Sequence, residues 1–435
     1  MTYGSLSLLI ACSAFLSALG QLESQTLELG TRVATLDQSV PIRARGLQPG
    51  RSITVTAVSR DRASREWRSS AEFLTDTVGS IDLTRQAPLS GSYSGVMAMG
   101  LLQSMEATGA DSGRVRFEAT WSDTVTTEIA IEVDGVVLVR DSLRRTFTSK
   151  GILVAPVRED GLVGIRFSPG SRPFRGHVLV LGGSEGGVSS ADVAAQLASH
   201  GFDALALAYF GVEALPAQLV EIPLEYFGRA LRLLSRDSAD PRAPIAILGT
   251  SKGAEAALLA AVRYPAVRGV VAYAPSNVAW ACICDSASHS SWTWRGHPVP
   301  AVPPGMDPSY RPATGSPMRP ALNYKYRLRV NPVGEAVIPV ETTGAKLLLI
   351  AGGDDGLWPS ADMAQAIRLR RSQTGVELLE YESAGHLIGK SFLPAGSTLI
   401  GRGRIETGGT AAANARAQAD SWPRVLAFLS SLEPL

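Results

Sequence analysis

The sequence predicts two modules, an all-β immunoglobulin-like sandwich followed by an α/β domain built on a mostly parallel sheet. Three observations predict it. Apolar residues recur with period 2 from about residue 26 to 148. From about Gly151, short apolar runs alternate with helical stretches. A tight-turn motif, Gly249-Thr250-Ser251-Lys252-Gly253, sits where one such run meets one such helix. The 435 residues suffice for two domains, and a composition of 45% hydrophobic and 19% charged residues excludes disorder as the main state.

The N-terminus comes first along the chain. The first 22 residues carry no charged side chain, and Gly4 to Gly20 is mostly apolar. At about 1.5 Å per residue that run reaches roughly 25 Å, short of a ~30 Å hydrocarbon core. An export signal over residues 1–20 is therefore expected, with Ala18-Leu19-Gly20 placing small residues before a cut at Gln21. Leu9-Ile10-Ala11-Cys12 also resembles a lipoprotein cleavage box, and a lipid on Cys12 would tether the chain to a membrane. An uncleaved anchor or a cytosolic protein is the third option. No later run is apolar for long enough to span a bilayer.

The sandwich is expected over residues 22–149. Ser52 to Val58, Arg114 to Ala119 and Glu128 to Val133 alternate as half-buried strands do, and Gln48-Pro49-Gly50, Asp111-Ser112-Gly113 and Asp134-Gly135 mark turns between them. The α/β domain is expected over residues 151–435. Its strands are His177–Leu181, Asp203–Ala208, Ile245–Leu248, Gly269–Tyr273, Lys346–Ala351 and Glu377–Tyr381. Its helices are Ser190–His200, Glu221–Arg236, Lys252–Tyr264, Ala361–Ser372 and Ala415–Leu429. The alternation lapses at about 276–343, where eight of the 26 prolines fall between Pro298 and Pro320, so a lid-like insertion is expected there.

Charge and cysteine usage exclude several functions. The 41 basic and 40 acidic residues leave a net charge of +1, too little to neutralise a nucleic-acid backbone. Three cysteines make neither a disulfide scaffold nor a four-thiolate zinc site, and the five histidines form no HExxH pair, so no metal is expected. No GKS/T motif and no clean GxGxxG motif is present, so no cofactor is expected either.

The chemistry concentrates at Gly249-Thr250-Ser251-Lys252-Gly253. A G-x-S-x-G turn between a strand and a helix is a nucleophile elbow, the mark of an α/β-hydrolase domain. Glycines flank the serine because a Cβ there would strike the neighbouring strand and helix. Ser251 needs a base to take its proton. Of the histidines after it, His289 and His297 lie in the insertion, whereas His386 follows the last strand, where this architecture presents its base. The acid belongs in the loop after Lys346–Ala351. Asp354 and Asp355 compete there, and Gly352 to Asp355 has the spacing that favours Asp355, with Asp354 second and Asp285, Asp307 and Asp362 remote. The oxyanion hole needs two backbone N–H donors. Lys252, directly after the nucleophile, supplies one. The glycine-rich loop Gly182-Gly183-Ser184-Glu185-Gly186-Gly187 supplies the other through Ser184, with Glu185 as the neighbouring option.

These residues carry a family resemblance. Gly249 to Glu255 (GTSKGAE) resembles the elbow of the acyl-CoA thioesterase / bile acid-CoA:amino acid N-acyltransferase family. Pro41-Ile42-Arg43-Ala44-Arg45-Gly46-Leu47 and Gly91-Ser92-Tyr93-Ser94-Gly95-Val96 resemble its N-terminal sandwich. Ala208-Tyr209-Phe210-Gly211, Ile222 to Phe227 (IPLEYF) and Asp354 to Ser360 (DDGLWPS) resemble its catalytic domain. The resemblance runs from about Leu27 to Leu432. It implies hydrolysis of a fatty acyl thioester through an acyl-serine, with the family's triad on Ser251, Asp355 and His386. Conjugating members carry cysteine as nucleophile, so Ser251 points to water as acceptor. A carboxylic ester is the alternative substrate, because the same serine chemistry serves both, and a CoA-dependent N-acyltransferase is another. A surface-binding protein with a vestigial hydrolase domain is the non-enzyme alternative.

Two further sets of residues in the insertion carry expectations. Arg295, Arg311, Arg319, Lys325, Arg327 and Arg329 would hold coenzyme A phosphates or form a solvated face. Trp280, Trp292, Trp294 and Trp358 would line an acyl pocket or pack the insertion. Cys282 and Cys284 are expected as free thiols or a bonded pair.

Overall fold

A computed structural model describes residues 24–434 except 110–112, 237–239, 241, 286–288, 332, 373–374, 389–391 and 402–403. The expected signal segment and Cys12 lie outside the described residues.

Ten strands form the N-terminal module. They are β1 (Thr26–Leu29), β2 (Val33–Thr35), β3 (Ile42–Arg45), β4 (Ser52–Arg60), β5 (Glu66–Leu74), β6 (Ile81–Asp82), β7 (Ser90–Gly91), β8 (Glu106–Ala107), β9 (Thr124–Val133) and β10 (Val136–Thr146), with one short helix, α1 (Gly100–Gln103). One sheet has the order β1-β3-β6. The other has the order β2-β10-β9-β4-β5-β7, with β8 beside β5. The alternation in β4 and β9 turns Ile53, Val55, Ala57, Ile129 and Ile131 onto one core with Ile42 and Ala44 of the facing sheet. Arg114 to Ala119 is not a strand. Its main chain instead lies on the catalytic module, where Ser397 N–H donates to Val115 O at 3.0 Å and Ser397 Oγ to Gly113 O at 2.8 Å. The alternation there reflects Val115, Phe117 and Ala119 packing on apolar neighbours while Arg114 and Glu118 stay exposed.

The second module is an eight-stranded sheet of order β11-β12-β14-β13-β16-β17-β20-β21. β11 (Leu153–Val157) and β12 (Val163–Ser168) run antiparallel, and the remaining strands are parallel: β13 (Gly176–Leu181), β14 (Phe202–Ala208), β16 (Ile245–Thr250), β17 (Val267–Tyr273), β20 (Lys346–Gly352) and β21 (Val376–Tyr381). Alternate residues of the central strands enter two separate cores. Leu179, Leu181, Leu205 and Leu207 face α3 (Leu224–Arg236) and α4 (Lys252–Arg263). Val178, Val180, Ala204 and Ala206 face α2 (Ala191–Ser199) and α7 (Ala411–Ser430). Burial on both faces is why these strands read as unbroken apolar runs. β11 and β12 were missed in the sequence because β11 is an exposed edge and β12 is interrupted by Gly164 and Arg166.

Between β17 and β20 the insertion adds β18 (Trp292–Trp294) and β19 (His297–Pro298), which join β15 (Ile222–Pro223) in a small sheet, and α5 (Ala321–Val330). α6 (Ser360–Arg370) follows β20, and a hairpin of β22 (Leu399–Ile400) and β23 (Ile405–Glu406) precedes α7. The modules interlock through polar contacts. Asp37 of the sandwich accepts from Trp422 Nε1 at 2.9 Å and pairs with His200 Nε2 at 2.6 Å. Gln103 Nε2 donates to Ala415 O and Gln418 Oε1 on α7. Arg145, buried in β10, donates through Nη1 to Phe392 O at 2.6 Å, beyond the His386 loop.

Candidate active site

The elbow follows from close approach of backbones. Ser251 joins β16 to α4 with φ +57° and ψ −120°, a conformation that costs a side-chain-bearing residue energy and persists only where its surroundings enforce it. Its N–H donates to Tyr273 O at 2.9 Å on the neighbouring strand. A Cβ on Gly249 would stand 2.2 Å from Gly253 O, and one on Gly253 would stand 2.2 Å from Gly182 O. Glycine is therefore required at both flanks, and Ser251 is left half-buried at the top of the sheet.

His386 and Asp355 meet on the loops after β21 and β20. His386 Nδ1 lies 2.8 Å from Asp355 Oδ2 and 3.0 Å from Oδ1, with both side chains almost fully buried. The carboxylate accepts three more hydrogen bonds, from Leu357 N at 2.9 Å, Trp358 N at 3.2 Å and Ser360 Oγ at 2.6 Å. A carboxylate acceptor requires the proton on Nδ1, which leaves the Nε2 lone pair free to take a proton. The Trp358 indole packs edge-on against the imidazole at 5.8 Å. Among the described residues Nε2 and the Ser251 hydroxyl have no hydrogen-bond partner.

Asp354, the second-choice acid, points elsewhere. It is ion-paired with Arg319 of the insertion, and its Oδ2 accepts from Gly409 N at 2.9 Å. Two neighbouring carboxylates thus divide their work, Asp355 meeting the imidazole and Asp354 fastening the loop. The remote choices Asp285, Asp307 and Asp362 bond to Gln218, Ser309 and Lys325. His177 bonds through Nδ1 to Asp203 and His200 to Asp37, so both are held in structural contacts away from Ser251, while His289 pairs with Glu221 at the surface.

Sequence reading missed the element that binds the two loops together. Thr407 O accepts from both His386 N and Gly356 N at 2.9 Å, and the next residues bridge Gly408 to Asp355 and Gly409 to Ala384. A Cβ on Gly385 would stand 2.0 Å from Gly408 O, and one on Gly408 only 1.8 Å from Asp354 O. The adjacent glycines Gly408-Gly409 were the available signal.

Directly after Ser251, Lys252 opens α4, so its N–H has no intrahelical acceptor. Its side chain runs inward, where Nζ bonds Glu255 Oε2 at 2.7 Å. Glu255 Oε1 accepts from Trp292 Nε1 at 2.6 Å and Trp280 N at 3.0 Å. Burial pulls the Lys252 pKa down against the opposing pull of Glu255. Trp280, Trp292 and Trp358 are buried, Trp292 in the main core and Trp280 and Trp358 in a smaller cluster of the insertion. In the glycine-rich loop Ser184 and Glu185 are exposed, and the buried member is Gly183, where a Cβ would stand 3.3 Å from Ser251 Cβ. Gly183 therefore joins Ser184 as a donor candidate.

A small open pocket lies beside these groups, lined by Gly182, Gly183, Glu185, Thr250, His386 and Leu387 and, from the sandwich, by Arg116. Burial lowers the Arg116 pKa, while Glu185 and Asp192 push it back up. The insertion's cations are mostly engaged: Arg319 with Asp354 and Glu406, Lys325 with Asp362, and Arg327 stacked on Trp280 and Tyr324. Cys282 and Cys284 are joined in a disulfide. Among the described residues no cluster could hold a metal ion, and no helix is long and apolar enough to cross a membrane.

Comparison with known proteins bears on this geometry. Residues 37–159 match the sequence model of the acyl-CoA thioester hydrolase/BAAT N-terminal region, and residues 222–432 match that of the BAAT / acyl-CoA thioester hydrolase C terminal. Acyl-coenzyme A thioesterase 6 of Mus musculus is 30% identical over 406 residues, covering 90% of this chain and 93% of that protein. Acyl-coenzyme A amino acid N-acyltransferase 1 of the same species is 30% identical over 423 residues, covering 91% and 94%. Peroxisomal succinyl-coenzyme A thioesterase, also from Mus musculus, is 29% identical over 403 residues, covering 90% and 93%. The serine elbow, the buried carboxylate–imidazole pair and this match along both modules make the chain an enzyme with an α/β-hydrolase catalytic domain, and it belongs to the acyl-CoA thioester hydrolase / bile acid-CoA:amino acid N-acyltransferase family.

Proposed function

We propose that the protein hydrolyses acyl-CoA thioesters through an acyl-serine intermediate, with Ser251 as nucleophile, His386 as general base and acid, and Asp355 as the group that orients the imidazole. The observation that carries this is the Asp355–His386 hydrogen bond, which frees Nε2 beside the pocket that Gly183 and Thr250 line. Nε2 takes the Ser251 proton as Oγ attacks the thioester carbonyl. The tetrahedral oxyanion collects N–H donors from Lys252 and the glycine loop. The C–S bond then breaks, and the imidazolium returns its proton to the leaving thiolate. Water, deprotonated by the same Nε2, attacks the acyl-serine; the bond to Oγ breaks, the imidazolium returns its proton to Oγ, and free acid leaves.

A carboxylic ester is the second reading. The Cys282–Cys284 disulfide favours it, since disulfides persist in oxidising compartments, and an exported enzyme would meet little coenzyme A. Export itself, through cleavage after residue 20 or lipidation of Cys12, belongs to the same reading.

The test is a panel of acyl-CoA thioesters and p-nitrophenyl esters of graded chain length, run with and without glycine or taurine. Release of free acid and thiol from the CoA substrates is expected, and diversion into an acyl-amide would mark a transferase. Ser251→Ala should lower turnover by on the order of 10⁴–10⁶ and abolish labelling by a fluorophosphonate. Unchanged labelling of the variant would overturn the assignment.

A further inference from the structure

Tyr209 takes no part in the proton transfers above, yet it touches the loop on which they depend. It follows β14 and is 3% exposed, with its ring centroid 5.2 Å from Phe210, 5.6 Å from Phe227 and 5.9 Å from Trp292. Its hydroxyl donates to Gly182 O at 2.7 Å and to Gly183 O at 3.0 Å. One phenolic proton is thus shared by two successive carbonyls of the glycine-rich loop.

A trans peptide is planar, and its N–H points opposite to its C=O. Fixing the Gly182 carbonyl fixes the direction of the Gly183 N–H, and fixing the Gly183 carbonyl fixes that of the Ser184 N–H. Both N–H groups then point away from Tyr209, and among the described residues neither has an intramolecular acceptor. Glycine peptides are conformationally loose. Side chains have little room to stiffen them here, since a Cβ on Gly182 would stand 2.0 Å from Ser189 Oγ and one on Gly183 3.3 Å from Ser251 Cβ. Without an external anchor, these two donors would lose their fixed directions.

We propose that Tyr209 is the positioning residue of the oxyanion hole, its hydroxyl holding the Gly183 and Ser184 peptides in the orientation that receives the tetrahedral oxyanion; the proposal rests on Ser251 being the nucleophile. Burial, reinforced by Glu185 and Glu255, raises the Tyr209 pKa well above its ordinary value, so the group stays a donor throughout the working range. The other side of the hole is braced from the same place. Trp292, which packs on Tyr209, bonds Glu255, and Glu255 bonds the side chain of Lys252, whose backbone supplies the remaining donor.

The experiment compares wild type, Ser251→Ala, Tyr209→Phe and Phe227→Leu. The last removes packing from the Tyr209 ring without touching a carbonyl. Labelling rate with a fluorophosphonate, kcat and KM on the best substrate of the panel, affinity for an acyl trifluoromethyl ketone, and thermal midpoint are measured for each. Deleting an oxyanion donor costs about 10²–10³ in rate, and Tyr209 acts one bond removed. Tyr209→Phe is therefore expected to lower kcat and the labelling rate by about 10- to 100-fold, to weaken the ketone in proportion, and to leave KM within about twofold. Phe227→Leu is expected to lower the midpoint and keep kcat. A Tyr209→Phe enzyme with wild-type kcat and ketone affinity overturns the proposal while leaving the nucleophile intact. Failure of the wild type to label at Ser251 overturns both.

Discussion

Replacing Asp355 with Asn exchanges one oxygen for an amide nitrogen and reverses one hydrogen bond. In the native site Oδ1 accepts from Leu357 N and Trp358 N, while Oδ2 accepts from Ser360 Oγ and, at 2.8 Å, from His386 Nδ1. The two backbone donors have no other acceptor, so they claim the single oxygen of the Asn amide. Its NH₂ is left facing Ser360 and the imidazole. An NH₂ can only donate, so Nδ1 must shed its proton and Nε2 must carry it. The base then holds a proton on the nitrogen that should receive one. A wrong-tautomer histidine costs about 10⁴ in kcat, which is roughly 5.5 kcal/mol of transition-state stabilisation. The assay is steady-state hydrolysis of the best substrate, with the tautomer read from imidazole nitrogen shifts in ¹⁵N-histidine protein. Asp354→Asn is the control: it removes the charge that faces Arg319, the amide oxygen can still accept from Gly409 N, and kcat should stay within about threefold. A loss under tenfold for Asp355→Asn, or equal losses for both variants, would refute the reasoning.

Two other perturbations test the support of the site and the sheet beneath it. Glu255→Gln leaves the Lys252 cation buried against Trp292 with no counter-charge, so a loss of about 3–5 kcal/mol is expected in urea unfolding, largely recovered by adding Lys252→Met. The Asp203 carboxyl is pushed up by burial, but hydrogen bonds from His177, Arg166 and Ser168 together with the Arg166 charge outweigh this and hold it down at about 2. Its stabilisation, on the order of 2 kcal/mol, is full above the unfolded carboxyl value near 4 and is lost as pH falls towards 2. Asp203→Asn should therefore flatten the acid limb of the stability curve in that window, and an unchanged limb would count against the network.

The legible parts of the molecule share one property: they act through side-chain pattern. The central strands run apolar because both faces are covered, and Gly249, Ser251 and Gly253 announce the elbow because close backbone approach admits no other residues at the flanks. His386 follows from its place after the last strand. The illegible parts act through main-chain atoms or across modules. Thr407 holds the Asp355 and His386 loops with a carbonyl, which any residue possesses. Adjacent Asp354 and Asp355 differ only in the direction each side chain takes, which Arg319 and His386 decide from distant positions. Arg116 belongs to an alternating segment whose pattern implies a strand, and it reaches the pocket because that segment packs against a loop nearly 300 residues later in the chain.

That packing means the catalytic half is not a removable cassette. Cutting the chain near residue 150 would take Arg116 from the pocket beside His386 and strip Asp37 from His200 and Trp422, Gln103 from α7, and Arg145 from the carbonyl of Phe392. An engineer seeking a minimal version of this enzyme would have to redesign that seam first, and recombination within the family should preserve the two halves as matched pairs.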